Sequence, residues 1–503
     1  MRAPSLRWNV VANVAARGWN AALSILIVPA VVQAVGAEAY GLVGFFAGLS
    51  VFFGFLDLGL SGTANREIAR NVALGRDGSE NKNLIRTFEV VYWAIALCIG
   101  GGLAGASGWI ADHWIEARYL SAEEVHAALL IGAGAIMLQW PTSLYSGVLR
   151  GLEAQVLQSG ISIAAAAIRS LGALAVVWFV SPTVTAYVMT FAVANAAEML
   201  ATCIAAWLLL RRSSSAAARA RWSVFREVWR FALSFNLVGV LLVALAQGDR
   251  LVTAGFLPLD QLGYYSVAST ASGGVAMIAW SVSIAVFPRF AGLSAAGNRE
   301  ALRAEYHRAA QVNCFFVVGI ALAVTLFAGE VLRVWTGSDV VARAGAPALS
   351  LLGAASLLAG AWNAPHTLLV ASGHTRVPLV FNAICLAGAV PAWLVMIPRF
   401  GIVGAAAVWL GANVVFFFAY LVAAHRRVLA ESAWTGVRRD FLGYLVAGVL
   451  TLGAGRALTW TRGTWAGCLG LAVGGLAYIA VAWALARRLD VFPARRDAVV
   501  AVR

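Results

Sequence analysis

The chain has 503 residues, of which 61% are hydrophobic and only 12% charged, with a formal net charge of +14. A soluble domain carries about 25% charged residues, so composition excludes an ordinary soluble fold. Apolar stretches of about 20 residues, enough for one membrane-spanning helix each, recur from end to end. Hydropathy predicts about fourteen such helices, in an all-α polytopic membrane protein. In chain order they cover Val11–Val35, Tyr40–Ser61, Phe88–Ile110, Val125–Gly147, Val156–Val180, Thr183–Leu210 and Phe231–Leu257. The rest cover Gly263–Phe287, Val312–Val334, Gly345–Ala371, Val377–Ile397, Ile402–Ala424, Phe441–Trp460 and Trp465–Ala486. Arg2 and Arg7 could open a signal peptide. The apolar run to Val35 exceeds a normal signal core, however, and Arg17 interrupts it, so a permanent first helix is expected.

The loops orient this stack. Basic residues crowd alternate connections: Arg66, Arg70, Arg76, Lys82 and Arg86 after helix two, and Arg211 to Arg230 after helix six. Arg289, Arg299, Arg303 and Arg308 follow helix eight. Arg426, Arg427, Arg438 and Arg439 follow helix twelve, and the tail carries Arg487 and Arg488. The opposite loops hold only Arg118, Arg333, Arg343, Arg399 and Arg462. Cytoplasmic loops retain Lys and Arg, so both termini are expected in the cytoplasm. The positive charge thus has a membrane explanation, including contact with anionic lipid heads. No basic stretch interleaves with exposed aromatics, which argues against nucleic acid. Cys98, Cys203, Cys314, Cys385 and Cys468 lie far apart in apolar runs, as small core residues rather than disulfides or metal ligands.

An internal repeat follows. Arg7 and Asn13 open helix one at the spacing with which Arg230 and Asn236 open helix seven. The turn from Gly36 to Gly41 matches Leu259 to Tyr264; Pro141 precedes Gly151 as Pro365 precedes Gly373; Asn195 matches Asn413. Ordered matches at one offset, roughly 220 residues, indicate two six-helix halves. Residues 1–222 form an N-terminal lobe, 223–430 a C-terminal lobe, and 431–503 two extra helices and a tail. An even number of spans per half gives parallel topology and a substrate site between the halves, reached alternately from each side.

At these residues the sequence resembles the polysaccharide transporter (Wzx-type flippase) family of the MOP exporter superfamily. The matching stretches are Gly36 to Leu42, Phe55 to Leu60, Asn65 to Arg70, Gln247 to Arg250 with Leu262 to Tyr265, Phe287 to Phe290, and Gly401 to Ala405. The resemblance covers helices one to twelve. It implies a V-shaped arrangement like that of MATE and MurJ proteins. It also implies flipping of undecaprenyl-pyrophosphate-linked oligosaccharides across the bacterial inner membrane, for O-antigen, exopolysaccharide or capsule. A polysaccharide polymerase and glycosyltransferases would then be functional partners. Fourteen helices also resemble MurJ-type lipid II flippases, whereas MATE drug or cation exporters of the superfamily usually stop near twelve.

The residues that could carry a mechanism are ionisable groups inside the spans, each costing roughly 2.5–3.5 kcal/mol at a helix centre. Arg169 and Glu198 sit at matching depths, about 20 and 18 Å, on consecutive helices. They form either a structural ion pair or a pair that opens for substrate or a proton. Arg17 and Asp57 lie in the inner half. Arg17 is the better phosphate candidate, because a guanidinium holds two oxygens at once. Snorkelling is its bland reading, and for Asp57 the bland reading is an ion pair with Arg66. Asp249 and Arg250 would form a gate contact or an exposed pair. Arg456 would snorkel. His366, after Pro365, would be an interior histidine or a proton-coupling group. Pro29, Pro141 and Pro365 would kink their helices. A polymerase or ligase enzyme is disfavoured, because the longest outer loop, Ala111 to Glu124, is too short for a catalytic domain. No catalytic residue, metal site, cofactor or nucleotide loop is implied. Coupling to protons or sodium is left open.

Overall fold

The computed structural model describes residues 15–489 and 491, apart from 17, 21, 56–59, 75–77, 214–216, 223–240, 242 and 460–463. Among the described residues the structure is helical throughout, and 11 helices are long and apolar enough to cross a membrane. It falls into two compact units, Met1–Ser266 and Val267–Arg503.

The first unit contains α1 (Val28–Phe55), α2 (Leu60–Ala73), α3 (Gly78–Trp109), α4 (Ala122–Gly151), α5 (Gln155–Ala167), α6 (Ala173–Phe179) and α7 (Val184–Ser213). Helix α8 spans residues 243–256, and α9 (Leu259–Ala295) runs across the boundary into the second unit. The start of α4 shows why the chain turns helical there. Ser121 Oγ accepts from Glu124 N at 3.2 Å, and Glu124 Oε2 accepts from Ser121 N at 3.0 Å. This reciprocal capping box satisfies two amides that the first turn leaves free. Nearby, the buried carboxylate of Glu38 accepts from the backbone N–H of Arg118 (2.7 Å), Tyr119 (2.9 Å) and Leu120 (3.2 Å), tying the loop before α4 to α1.

The tightest crossing in this unit joins α1 to α9. A Cβ on Gly41 would lie 2.1 Å from the Leu259 carbonyl oxygen, and one on Gly263 only 1.9 Å from that of Ala37. The contacts are reciprocal, and Gly41 and Gly263 sit in the two turns that the repeat aligns. Small residues let helix backbones meet where lipid supplies no hydrophobic drive.

The second unit contains α10 (Arg299–Leu326), α11 (Ala328–Thr336), α12 (Asp339–Ala371), α13 (Arg376–Ala424), α14 (Gly443–Thr459) and α15 (Thr464–Arg488). Within α13, Gly401 has φ 60° and ψ −143°, a conformation open essentially to glycine. It separates the two expected spans Val377–Ile397 and Ile402–Ala424. The repeat asparagines play parallel parts in the two units. Asn195 donates to the Ala135 carbonyl at 3.1 Å, linking α7 to α4; Asn413 accepts from Trp362 Nε1 at 3.0 Å, linking α13 to α12.

Near its Arg-rich end, the second unit is fastened by a buried polar hub. His307 on α10 meets Asp440 Oδ2 at 2.6 Å and Glu431 Oε2 at 3.2 Å, and Gln311 donates to Asp440 Oδ1 at 3.0 Å. Arg303 pairs with Glu431 at 3.3 Å and donates to the Leu429 carbonyl. The hub attaches the turn before α14 to α10. His307→Ala should leave buried Asp440 with only Gln311 and lower stability by about 3 kcal/mol, while Glu431 keeps Arg303. Asp440→Asn, which keeps a hydrogen-bonding partner, should cost about 1 kcal/mol. Thermal melting of the purified protein in detergent checks the ranking.

Several expectations change. Helix three begins at Gly78 rather than Phe88. The expected span Val312–Val334 is two helices, broken at Phe327. Arg456 does not snorkel: its guanidinium bonds Glu330 and lies 5.5 Å from the centre of the Phe327 ring. Cys98 is exposed at the bundle surface rather than in the core. Helices one and seven lie partly outside the described residues.

Candidate functional site

Arg169 is set by the backbone before any side chain is considered. Between α5 and α6 the chain makes one π turn, Ile168–Gly172. The extra residue in that turn re-aims the side chains around it, a device frequent at functional sites. The Arg169 guanidinium meets Glu198 of α7, with Nη2 to Oε2 at 2.6 Å. The two side chains are 29% and 17% exposed. Arg169 also lies 5.1 Å over the Phe191 ring, one face of a cation–π contact. Its Nε is buried with no hydrogen-bond partner among the described residues. A guanidinium carries five donors in a planar fork, so this one retains donors beyond those Glu198 engages.

Beside it, α1, α4 and α7 enclose a small apolar cavity of about 50 Å³ lined by Phe46, Ser50, Gly132, Tyr187 and Phe191. Ser50 Oγ is buried there with no hydrogen-bond partner among the described residues. The space admits a water or two, not a ligand.

Asp249 on α8 is buried, so the expected pair is not an exposed one. Its carboxylate accepts from Tyr265 Oη at 2.5 Å and from the Arg250 amide at 2.7 Å, joining α8 to α9. The Arg250 side chain packs toward Gly48 of α1. A gate contact requires such a link between α8 and its neighbours. His366 on α12 is half-buried, edge-on to Trp362 (5.7 Å) and Tyr420 (5.1 Å). It belongs to the second unit, whereas Arg169, Glu198, Asp249 and Arg250 belong to the first. Arg17 and Asp57 lie outside the described residues.

Sequence reasoning missed Glu89. It is buried within α3 and accepts from Trp207 Nε1 at 2.6 Å, Arg86 Nη1 at 2.8 Å and Tyr145 Oη at 2.9 Å. Hydropathy places it at a helix edge, one residue after Phe88, where an acid draws no notice. Its three donors come from α3, α4 and α7, and only the packing brings them together. Among the described residues no cluster of His, Cys, Asp or Glu could hold a metal ion.

The sequence model of the family described as "Polysaccharide biosynthesis protein" matches residues 6–294, and that of the MatE family matches residues 237–395. A provisionally assigned O-antigen transporter of Shigella flexneri is 19% identical over 382 residues, covering 75% of this chain and 87% of that protein. The fold is similar to that of the lipid II flippase MurJ in an inward closed conformation, with TM-score 0.74, 13% identity and coverage of 96% and 99% of the two chains. It is also similar to an inward-facing MATE multidrug resistance transporter of the MOP superfamily, with TM-score 0.65, 15% identity and coverage of 82% and 95%.

Proposed function

We propose, from the premise that this chain belongs to the polysaccharide biosynthesis protein family of multi-pass membrane transporters, that it flips undecaprenyl-pyrophosphate-linked oligosaccharide from the inner to the outer leaflet of the bacterial inner membrane. The product would feed O-antigen, exopolysaccharide or capsule assembly, with a polymerase and glycosyltransferases as partners. The observation that carries this reading is an arginine inside the spans, Arg169, paired with Glu198 at 2.6 Å.

The chemistry of the substrate explains why such a residue is needed. A pyrophosphate with sugars is too polar to cross hydrocarbon, while a polyprenyl tail is at home there. A flippase need shield only the head, in a polar space open to the membrane. Arg169, and Arg17 from helix one, would hold the phosphates on one side and release them on the other; Glu198 would recover Arg169 between cycles. Asp249 with Arg250, Asp57 and His366 are further candidates for the substrate path or its gates. A proton or sodium gradient would supply the driving force.

The test is surface polysaccharide in a flippase-null strain. Expression of this chain should restore export of the strain's own polymer, and restored drug efflux without polymer would contradict the reading. Topology is tested alongside. Reporter fusions after Arg219 and Arg303 should report cytoplasm and one at Glu116 the periplasm, since the arginine-rich loops stay inside.

A further inference from the structure

Helix α13 presents a groove that transport leaves unexplained. The stretch Arg376–Phe381 of its first arm and Val414–Arg427, from its second arm into the turn after it, border a space of about 820 Å³. Val380, Val414, Val415 and Phe418 line the groove and are exposed, at 52%, 38%, 45% and 60%. At one end stand three guanidiniums, Arg376, Arg426 and Arg427. None has a carboxylate partner among the described residues. From Val414 to Arg427 the helical rise gives about 20 Å, a little more than one leaflet of a hydrocarbon core of about 30 Å.

Arg427 also borders a second space of about 230 Å³, lined by Arg299, Ser372, His374 and the turn at Gly297. This pocket is polar. Ser372 Oγ and His374 Nδ1 are buried there with no hydrogen-bond partner among the described residues. No Asp or Glu lines either space. An acyl-length apolar groove thus ends in arginines, and one of them opens onto a pocket whose Ser372 hydroxyl and His374 ring nitrogen are unengaged among the described residues.

We infer that this groove and pocket together bind one anionic phospholipid, with its phosphate among Arg427, Arg376 and His374 and its chains along Val380, Val414 and Phe418. The charge selects the ligand. Four arginines without an acid ask for a phosphate, and exposed valines at leaflet depth ask for chains rather than for a soluble anion. Guanidinium suits the phosphate, because its fork takes two oxygens. The leaflet rests on the proposed orientation, which puts these arginines at the cytoplasmic surface, where anionic lipid heads attract basic groups. The binding itself does not depend on that orientation or on the transported substrate.

The experiment uses the full-length protein in detergent, titrated with phosphatidylglycerol, phosphatidylcholine, undecaprenyl phosphate or inorganic phosphate. Bound lipid is read by native mass spectrometry and by melting temperature. Phosphatidylglycerol should bind and raise the melting temperature, and phosphatidylcholine should bind at least tenfold more weakly. Arg376→Gln with Arg427→Gln should remove that preference. Ala419→Trp, which fills the groove without changing charge, should also reduce retention of phosphatidylglycerol. Size-exclusion elution identical to wild type certifies folding, and single Arg427→Gln substitutes if the double variant aggregates. Equal binding of the two phospholipids, or an undiminished preference in a folded charge variant, would overturn the proposal. So would undecaprenyl phosphate binding more tightly than phosphatidylglycerol, or inorganic phosphate alone reproducing the shift. Export assays play no part, so failure here leaves the flippase reading standing.

Discussion

Gly263→Val should abolish folded protein. A Cβ at residue 263 would sit 1.9 Å from the Ala37 carbonyl oxygen, and the obstacle is backbone, which cannot rotate aside. Helices α1 and α9 would have to separate, losing the packing between them. Overpacking alone costs about 1–3 kcal/mol, and parting two helices along a crossing should bring the total to about 4 kcal/mol or more, among the largest effects of a single substitution. Gly41→Val should behave alike, because its Cβ would meet Leu259 O at 2.1 Å. Gly102→Ala is the control: nothing lies within 4 Å of a Cβ there, so stability should change by less than about 1 kcal/mol. Fluorescence-detected size exclusion reads the outcome. A monodisperse peak of normal height for Gly263→Val would show that the two helices do not cross as described.

Arg169→Ala should abolish polymer export, and the reason can be separated from loss of structure by its partner. Alone, the substitution leaves Glu198 charged within the spans, where an ionised group costs roughly 2.5–3.5 kcal/mol. Protein level should therefore fall together with export. Glu198→Ala should do likewise, by leaving a guanidinium unpaired. The double variant, Arg169→Ala with Glu198→Ala, removes both charges, so protein level should recover. Export should not recover if Arg169 grips phosphate, and should recover if the pair is structural only. Arg169→Lys keeps the charge without the two-pronged grip and should rescue export in part. Glu198→Gln should slow cycling at near-normal protein level, because a neutral amide holds the guanidinium less firmly. Surface polysaccharide normalised to protein abundance distinguishes these outcomes.

How far the chain was legible depended on what hydropathy can see. The last two helices run Gly443–Thr459 and Thr464–Arg488, close to the expected Phe441–Trp460 and Trp465–Ala486, because charged residues bound the apolar runs there, Arg438, Arg439 and Asp440 before the first and Arg487 and Arg488 at the end of the second. Helix α3 starts ten residues early because its first turns carry Asn81, Lys82 and Arg86; Asn81 and Lys82 are buried by packing rather than by apolarity. The Arg169–Glu198 pair was legible, since opposite charges at equal depth on consecutive helices have few other uses. The π turn that aims Arg169 was not, because Ile168 to Gly172 has no composition that separates a π turn from an α turn. Arg456 misled for a related reason. Its acid, Glu330, lies 126 residues away in sequence, and only tertiary structure brings them together. Glu89 shows the same limit, for its donors Tyr145 and Trp207 arrive from α4 and α7.

Gly41 and Gly263 show what a close helix crossing demands of sequence: a Cβ on either would meet a backbone carbonyl of the facing helix, so each backbone forbids a side chain on the other.

The most direct measurement is flipping by the purified chain. Proteoliposomes would carry the protein and an undecaprenyl-pyrophosphate oligosaccharide labelled on its sugar, with a membrane-impermeant glycosidase added outside. Without flipping, only the half of the label already facing outward is cleaved. With the wild-type chain and an imposed proton or sodium gradient, cleavage should proceed beyond that half, and Arg169→Ala should hold it there. Cleavage stopping at half with folded wild-type protein under either gradient, while the same vesicles move a cationic drug, would contradict the account.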